Sequence, residues 1–237
     1  MPNVDVMAFG AHPDDIEICV GGTLIKMVAA GHSVVMVDMV RGEMGTRGTP
    51  EMRAAEAAAA ARVIGATARE NLDLPDGNVH LNDESRRRVA EVVRKHRPRL
   101  ALVPYTEGRH PDHYHTGEVA YEGIFLAGLA RFDTGQEAWR PSRLLYYPTA
   151  IPFDPSFVVD ITAQVERKME AVYCYASQFD PNLGYAPTRL TTPEFRQRLL
   201  NRNGYFGSLI DKDYGEAFQL RGMLEVDNPL DLAFSSY

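Results

Sequence analysis

The segment from Val4 to Val40, VDVMAFGAHPDDIEICVGGTLIKMVAAGHSVVMVDMV, decides how the rest of the chain is read. Val4 to Gly10 and Ser33 to Val40 are short apolar runs rich in β-branched residues and of strand length. Between them Thr23 to Ala30 reads as a helix, with Gly31 as its stop. A strand, a helix and a second strand within about 40 residues make a βαβ unit, and that unit implies a parallel sheet.

The alternation continues outward from this unit. Pro50 to Ile64 is an Ala-rich helix with proline suited to its first turn, and Glu84 to His96 is another. A buried strand follows at Leu100 to Val103, then a helix from about Thr116 to Arg131. Arg143 to Tyr147 and Phe157 to Asp160 read as strands, Ala163 to Gln178 as an amphipathic helix and Glu194 to Asn203 as a last helix. Gly, Pro and Asn thicken between Asp180 and Thr192. The expected architecture is a three-layer, Rossmann-like α/β fold: a mostly parallel sheet, helices on both faces, and an irregular C-terminal third over the site. No repeat or long linker interrupts it, so residues 1–237 are read as a single domain.

The 237 residues are 45% hydrophobic and 24% charged, the composition of an ordinary globular protein. Such a length buries enough surface to fold without disulfides or a structural metal, so any metal site is expected to be catalytic. The 25 basic and 32 acidic residues leave a net charge of −7, which argues against nucleic acid as a partner. Cys19 and Cys174 lack metal-ligand spacing and read as reduced thiols. The first residues carry no basic, cleavable leader and no apolar run reaches about 18 residues. A cytoplasmic protein with no membrane partner is expected.

In open α/β sheets ligands bind at the carboxyl ends of strands. After the first strand comes Ala11-His12-Pro13-Asp14-Asp15, and after the Leu100 to Val103 strand comes Arg109-His110-Pro111-Asp112-His113. His12 and Asp15, three apart around a proline that favours a helical turn, can converge on one point. Asp14 projects elsewhere and is free to act as general base. His110 and His113 also stand three apart, and either could complete a two-His, one-carboxylate metal site with His12 and Asp15. The other would stabilise an oxyanion or protonate a leaving amine, and Asp112 would orient an imidazole. Such an open site suits Zn²⁺, with Fe²⁺ sharing the ligands, and a water on it has its pKa lowered toward ~7. Hydrolysis by that water is the natural use.

AHPDDIE paired with HPDH about a hundred residues later resembles the LmbE/PIG-L family of zinc-dependent N-deacetylases that act on N-acetylglucosaminyl compounds. RGEMGTRGTPEMRAAEAAAAA at Arg41 to Ala61, the EGRHPDH context, and YGEAF at Tyr214 to Phe218 are similar to the branch that deacetylates N-acetylglucosaminyl L-malate in bacillithiol biosynthesis. The resemblance implies His12, Asp15 and His113 as zinc ligands, Asp14 as base and His110 as the residue that stabilises the tetrahedral intermediate. It also implies an N-acetylated amino-sugar substrate and a homo-oligomer, a hexamer by the same likeness. Some relatives in the mycothiol branch carry a tyrosine just before the second motif, where this chain has Gly108-Arg109, so no oxyanion role falls to a tyrosine there. Malate has two carboxylates, and Arg47, Arg53 and Arg109, in segments after strands, are the candidates to hold them bidentately.

Three other readings compete. Within the same chemistry the substrate is another N-acetylglucosaminide or a chito-oligosaccharide. A non-catalytic nucleotide- or sugar-binding α/β domain would want the glycines of GxGxxG, and GAHPDD lacks them. A two-metal phosphoesterase would want more bridging carboxylates than the motifs supply.

Overall fold

The computed structural model describes residues 1, 3–151 and 153–232. Five parallel strands form the central sheet in the order β3-β2-β1-β4-β5: β1 (Val4–Gly10), β2 (Val34–Val40), β3 (Ala68–Leu74), β4 (Pro98–Pro104) and β5 (Arg143–Tyr147). Helices α1 (Asp15–Ala29), α2 (Pro50–Ile64), α3 (Asp83–His96) and α4 (Pro111–Ala127) connect the first four strands and lead out of the fourth. Alternate side chains of each strand face opposite layers. Met7, Phe9, Val35, Val37, Ala101 and Val103 pack with Val89, Val93, Val119 and Ile124 of α3 and α4. Val6, Ala8, Val34, Met36 and Leu102 pack with Ile16, Val20 and Leu24 of α1 and Ile64 of α2. Burial on both faces explains why β1, β2 and β4 read as nearly continuous apolar runs.

The C-terminal third adds β6 (Phe157–Asp160), α5 (Val165–Tyr173), α6 (Ala176–Phe179), α7 (Phe195–Ser208) and β7 (Gly215–Phe218). Strands β6 and β7 pair antiparallel in a small separate sheet. Helices α5, α6 and α7 share an apolar cluster with α2 through Ala57, Val165, Val172, Tyr175, Phe179 and Leu199.

Several boundaries differ from the sequence reading. Helix α1 begins at Asp15 rather than Thr23, because Gly21 and Gly22 lie buried inside it instead of breaking it. Helix α4 begins at Pro111 rather than Thr116, so the second His-Pro-Asp cluster is itself the first turn. The stretch expected as one helix over Ala163 to Gln178 is divided at Cys174 and Tyr175 into α5 and α6. Strand β3 was not expected: ARENLDL is polar, as suits an edge strand with one side open to water.

Candidate active site

The strand order reverses between β1 and β4, which are paired with Val6 opposite Leu100 and Ala8 opposite Leu102. At that switch point the carboxyl ends of the two strands deliver the two motifs to one place. The ring centroids of His12 and His110 are 4.9 Å apart, those of His12 and His113 5.4 Å, and those of His110 and His113 4.9 Å.

Asp15 ties the first motif together. Its Oδ2 accepts from the His12 backbone N–H at 2.9 Å and lies 3.3 Å from His12 Nδ1, while its Oδ1 lies 3.2 Å from His113 Nε2. Burial raises the Asp15 pKa, but His113 and His12 outweigh it and hold the carboxyl well below the usual range. Candidate ligand atoms of His12, Asp15 and His113 all lie within 4.8 Å of one another. His12 Nε2 faces Asp76 Oδ1 at 3.1 Å and Asp112 Oδ2 at 3.4 Å, so carboxylates hold one side of the ring and Nδ1 is left for a cation. Two imidazole nitrogens and one carboxylate fit Zn²⁺ or Fe²⁺ in an open site. His12, His110 and Asp112 form a second close trio, but the Asp112 oxygens are already taken by the Gly77 and Val79 amides at 2.8 and 3.2 Å. The first trio is the better cation site.

Asp14 stands at the helix entrance with φ 123°, a backbone angle that side chains rarely adopt. It is 5% exposed, and burial pushes its carboxyl up to about 7 against the pull of Arg53, whose guanidinium is 3.5 Å away. His110 caps α4, its Nδ1 accepting from the Asp112 backbone N–H at 3.2 Å. The ring therefore carries its proton on Nε2 when neutral. Burial, then the neighbouring His12 and His113, lowers its pKa and favours that neutral form.

A pocket of about 950 Å³ opens over these residues. Residues 188–202 supply part of its lining, and that part is rich in arginine: Arg189, Arg198 and Arg202 line it, as do Arg53 and Arg109. Arg202 donates to the Thr149 and Ile18 carbonyls, and Arg198 to the Arg189 carbonyl and Thr192 Oγ1. Among the described residues, no protein group pairs with the exposed guanidinium of Arg109 or Arg189.

Of the three arginines expected to face substrate, Arg109 is at the pocket. Arg53 lines it too but is 4% exposed and donates to the Pro13 carbonyl beside Asp14, so it braces the motif. Arg47 requires correction. It is 1% exposed and turned away, donating to the carbonyls of Ser177, Asp180, Tyr185 and Ala186. It pegs the Gly/Pro-rich segment in place rather than meeting a ligand.

Sequence reading missed Asp76 and the arginines of residues 188–202. Asp76 sits in a Pro-Asp-Gly turn and reads as a turn former; recognising β3 would have placed it at the carboxyl end of a strand beside His12. The arginines sit in an irregular stretch and on α7, where no pattern distinguishes a pocket face from a solvated one.

A doubly wound sheet that fills its switch point with histidine and aspartate, and has no glycine-rich phosphate loop there, belongs with the metal-dependent hydrolases rather than the dinucleotide-binding proteins. Residues 7–124 match the PIG-L family model, GlcNAc-PI de-N-acetylase. A diacetylchitobiose deacetylase of Thermococcus kodakarensis is 30% identical over 90% of this chain and 82% of its own length. A probable N-acetyl-α-D-glucosaminyl L-malate deacetylase 2 of Bacillus anthracis is 27% identical over 71% of this chain and 78% of its own. The crystal structure of a conserved protein from Thermus thermophilus superposes with a TM-score of 0.86 at 36% identity, covering 94% of this chain and 98% of that one. The chain belongs to the PIG-L (LmbE-like) family of metal-dependent deacetylases.

Proposed function

We propose that this deacetylase is a zinc enzyme that removes the acetyl group from an N-acetylglucosaminyl compound with an acidic aglycone, N-acetylglucosaminyl L-malate, and that residues 1–237 act as one unit. The observation that carries the acidic aglycone is the pair of guanidinium groups, Arg109 and Arg189, that have no partner among the described residues, on the pocket lined by His12, Asp15 and His113. Guanidinium holds a carboxylate bidentately.

His12, Asp15 and His113 hold the metal. When bound, it supplies Lewis acidity that polarises the amide carbonyl and eases deprotonation of water. Asp14, buried beside this trio and not part of it, takes the proton of the attacking water. Arg53 and the Pro13 carbonyl keep that carboxylate turned toward the pocket. His110, neutral, donates a hydrogen bond from Nε2–H to the oxygen that gains charge, and the proton that Asp14 took from water passes to the departing amine. Asp112, fixed by two backbone amides, and Asp76 hold the His12 ring.

A second reading is favoured by the match of 90% of the chain to a diacetylchitobiose deacetylase, and it makes the substrate a chito-oligosaccharide. Acetate release from N-acetylglucosaminyl malate, diacetylchitobiose and N-acetylglucosamine separates them, measured on protein as purified, chelator-stripped and zinc-reloaded. The acidic reading expects zinc-restored preference for the malyl compound, and Arg109→Ala is expected to lower kcat/KM on it by about 10-fold or more while sparing the neutral sugars. Preference for diacetylchitobiose, or equal losses in Arg109→Ala, overturns it.

A further inference from the structure

Helix α1 carries Asp14 and Asp15 at its start, and groups from elsewhere in the chain bond to its backbone in the middle. An interior helical amide normally donates to the carbonyl four residues earlier. Here the Gly22 amide donates to Glu216 Oε1 at 2.9 Å and the Thr23 amide to Glu216 Oε2 at 2.7 Å. The Ile18 carbonyl, four residues before Gly22, accepts from Arg202 Nη2 at 2.5 Å. Outside groups thus satisfy both halves of the same rung.

The donors and acceptors around these amides come from distant parts of the chain. Glu216, on β7, is paired with Lys168 Nζ of α5 at 2.7 Å, and Lys168 also donates to Asn203 Oδ1 of α7 at 3.1 Å. Both side chains of the ion pair are 0% exposed. The absence of a side chain at Gly22 lets Ile161 pack against this part of the helix, since a Cβ there would lie 2.8 Å from it. A carboxylate receiving two successive amides is what a helix start attracts, yet Glu216 takes the Gly22 and Thr23 amides in the middle of the continuous helix α1.

We infer that Glu216 is a positioning residue for the catalytic centre: by gripping the middle of α1 it sets the direction of the helix, at whose start Asp14 and Asp15 sit. Arg202 holds the Ile18 carbonyl of the same helix and, through the Thr149 carbonyl, the pocket wall. The YGEAF stretch and the paired glycines thereby gain a role in the deacetylase site. The inference rests on the deacetylase reading for its kinetic arm only, since metal affinity and amide exchange need no substrate.

The test compares Glu216→Gln with Lys168→Met in the full chain. The glutamine offers one acceptor where two amides need two, whereas the methionine leaves the carboxylate in place. Glu216→Gln is expected to weaken zinc binding and lower kcat, each by about 10-fold or more, with KM within about twofold. Lys168→Met is expected to lower Tm while kcat per bound zinc stays within about threefold. Hydrogen exchange on the wild-type holoenzyme keeps the question decidable if Glu216→Gln does not accumulate folded: the Gly22 and Thr23 amides are expected among the slowest in α1. Unchanged zinc affinity and kcat in a folded Glu216→Gln protein, or fast exchange at Gly22 and Thr23, overturns the inference.

Discussion

Asp14 occupies a strained backbone angle beside a ligand it does not duplicate, and strain of this kind, of order 1–3 kcal/mol, persists where surrounding groups impose it. Those groups are visible: Arg53 grips the Pro13 carbonyl, and the Ile18 amide donates to the Asp14 carbonyl at 3.0 Å. In the proposed mechanism the carboxylate is thus held for proton transfer and stands outside the metal trio. Asp14→Ala is expected to retain stoichiometric zinc, read by elemental analysis, while kcat falls by about 10²–10⁴-fold. His113→Ala is expected to lose both. Arg53→Ala is expected to depress kcat by a similar factor on malyl and neutral substrates, because its guanidinium serves Asp14; a loss confined to the malyl compound would return it to anion recognition. The clustering of the two motifs was the most legible part of the sequence. His12, Asp15, His110 and His113 come together because proline starts a helical turn at each motif, and i, i+3 spacing survives any error in the rest of the helix; spacing left His110 and His113 open as the third ligand, and the resemblance chose His113.

At the level of elements, legibility followed burial. Strands β1, β2 and β4, apolar on both faces, announced themselves, and α2 read correctly from Pro50 to Ile64. Strand β3 did not, since its Arg69 and Glu70 serve ion pairs with Asp38 and Lys95 rather than the core. β7 went unseen because YGEAF pairs with β6 across about 55 residues, a partnership that no local pattern encodes. Helix α4 shows how tightly an element can be seated. A Cβ on its Gly117 would press on the Pro104 carbonyl at the end of β4, closer than real contacts allow. Alanine improves helix propensity by about 1 kcal/mol, but overpacking against backbone costs about 1–3 kcal/mol, so the second effect wins. Gly117→Ala is expected to lower Tm and, by shifting His110 and His113 on the same helix, to weaken zinc binding. Gly204→Ala on α7, where the nearest atom is 3.7 Å away, is the control expected to be neutral or stabilising.

Across the whole molecule, the sheet carries the two His-Pro-Asp motifs and the C-terminal third supplies much of the pocket wall, with Arg47 as the peg between them. Four carbonyls and the Tyr185 ring, 5.2 Å from its guanidinium, surround that side chain. Arg47→Ala is expected to expose residues 180–192 to limited proteolysis, seen as a new early cleavage, whereas Arg109→Ala leaves the digestion pattern unchanged. A metal held between the two motifs stabilises the fold by mass action, about 2.7 kcal/mol at 100-fold over Kd. Chelation is therefore expected to lower Tm by about 5–10 °C for a chain of this size, reversibly on adding zinc. The adjacency of β1 and β4, strands separated by most of the first hundred residues, bears on how the protein is made. Synthesis runs at roughly 5–20 residues per second, so His12 and Asp15 leave the ribosome about 5 s or more before His113 follows. Through that interval the nascent chain offers only the first motif of the proposed metal site, which is complete only after β4 has slotted in beside β1, so loading is expected late in biogenesis.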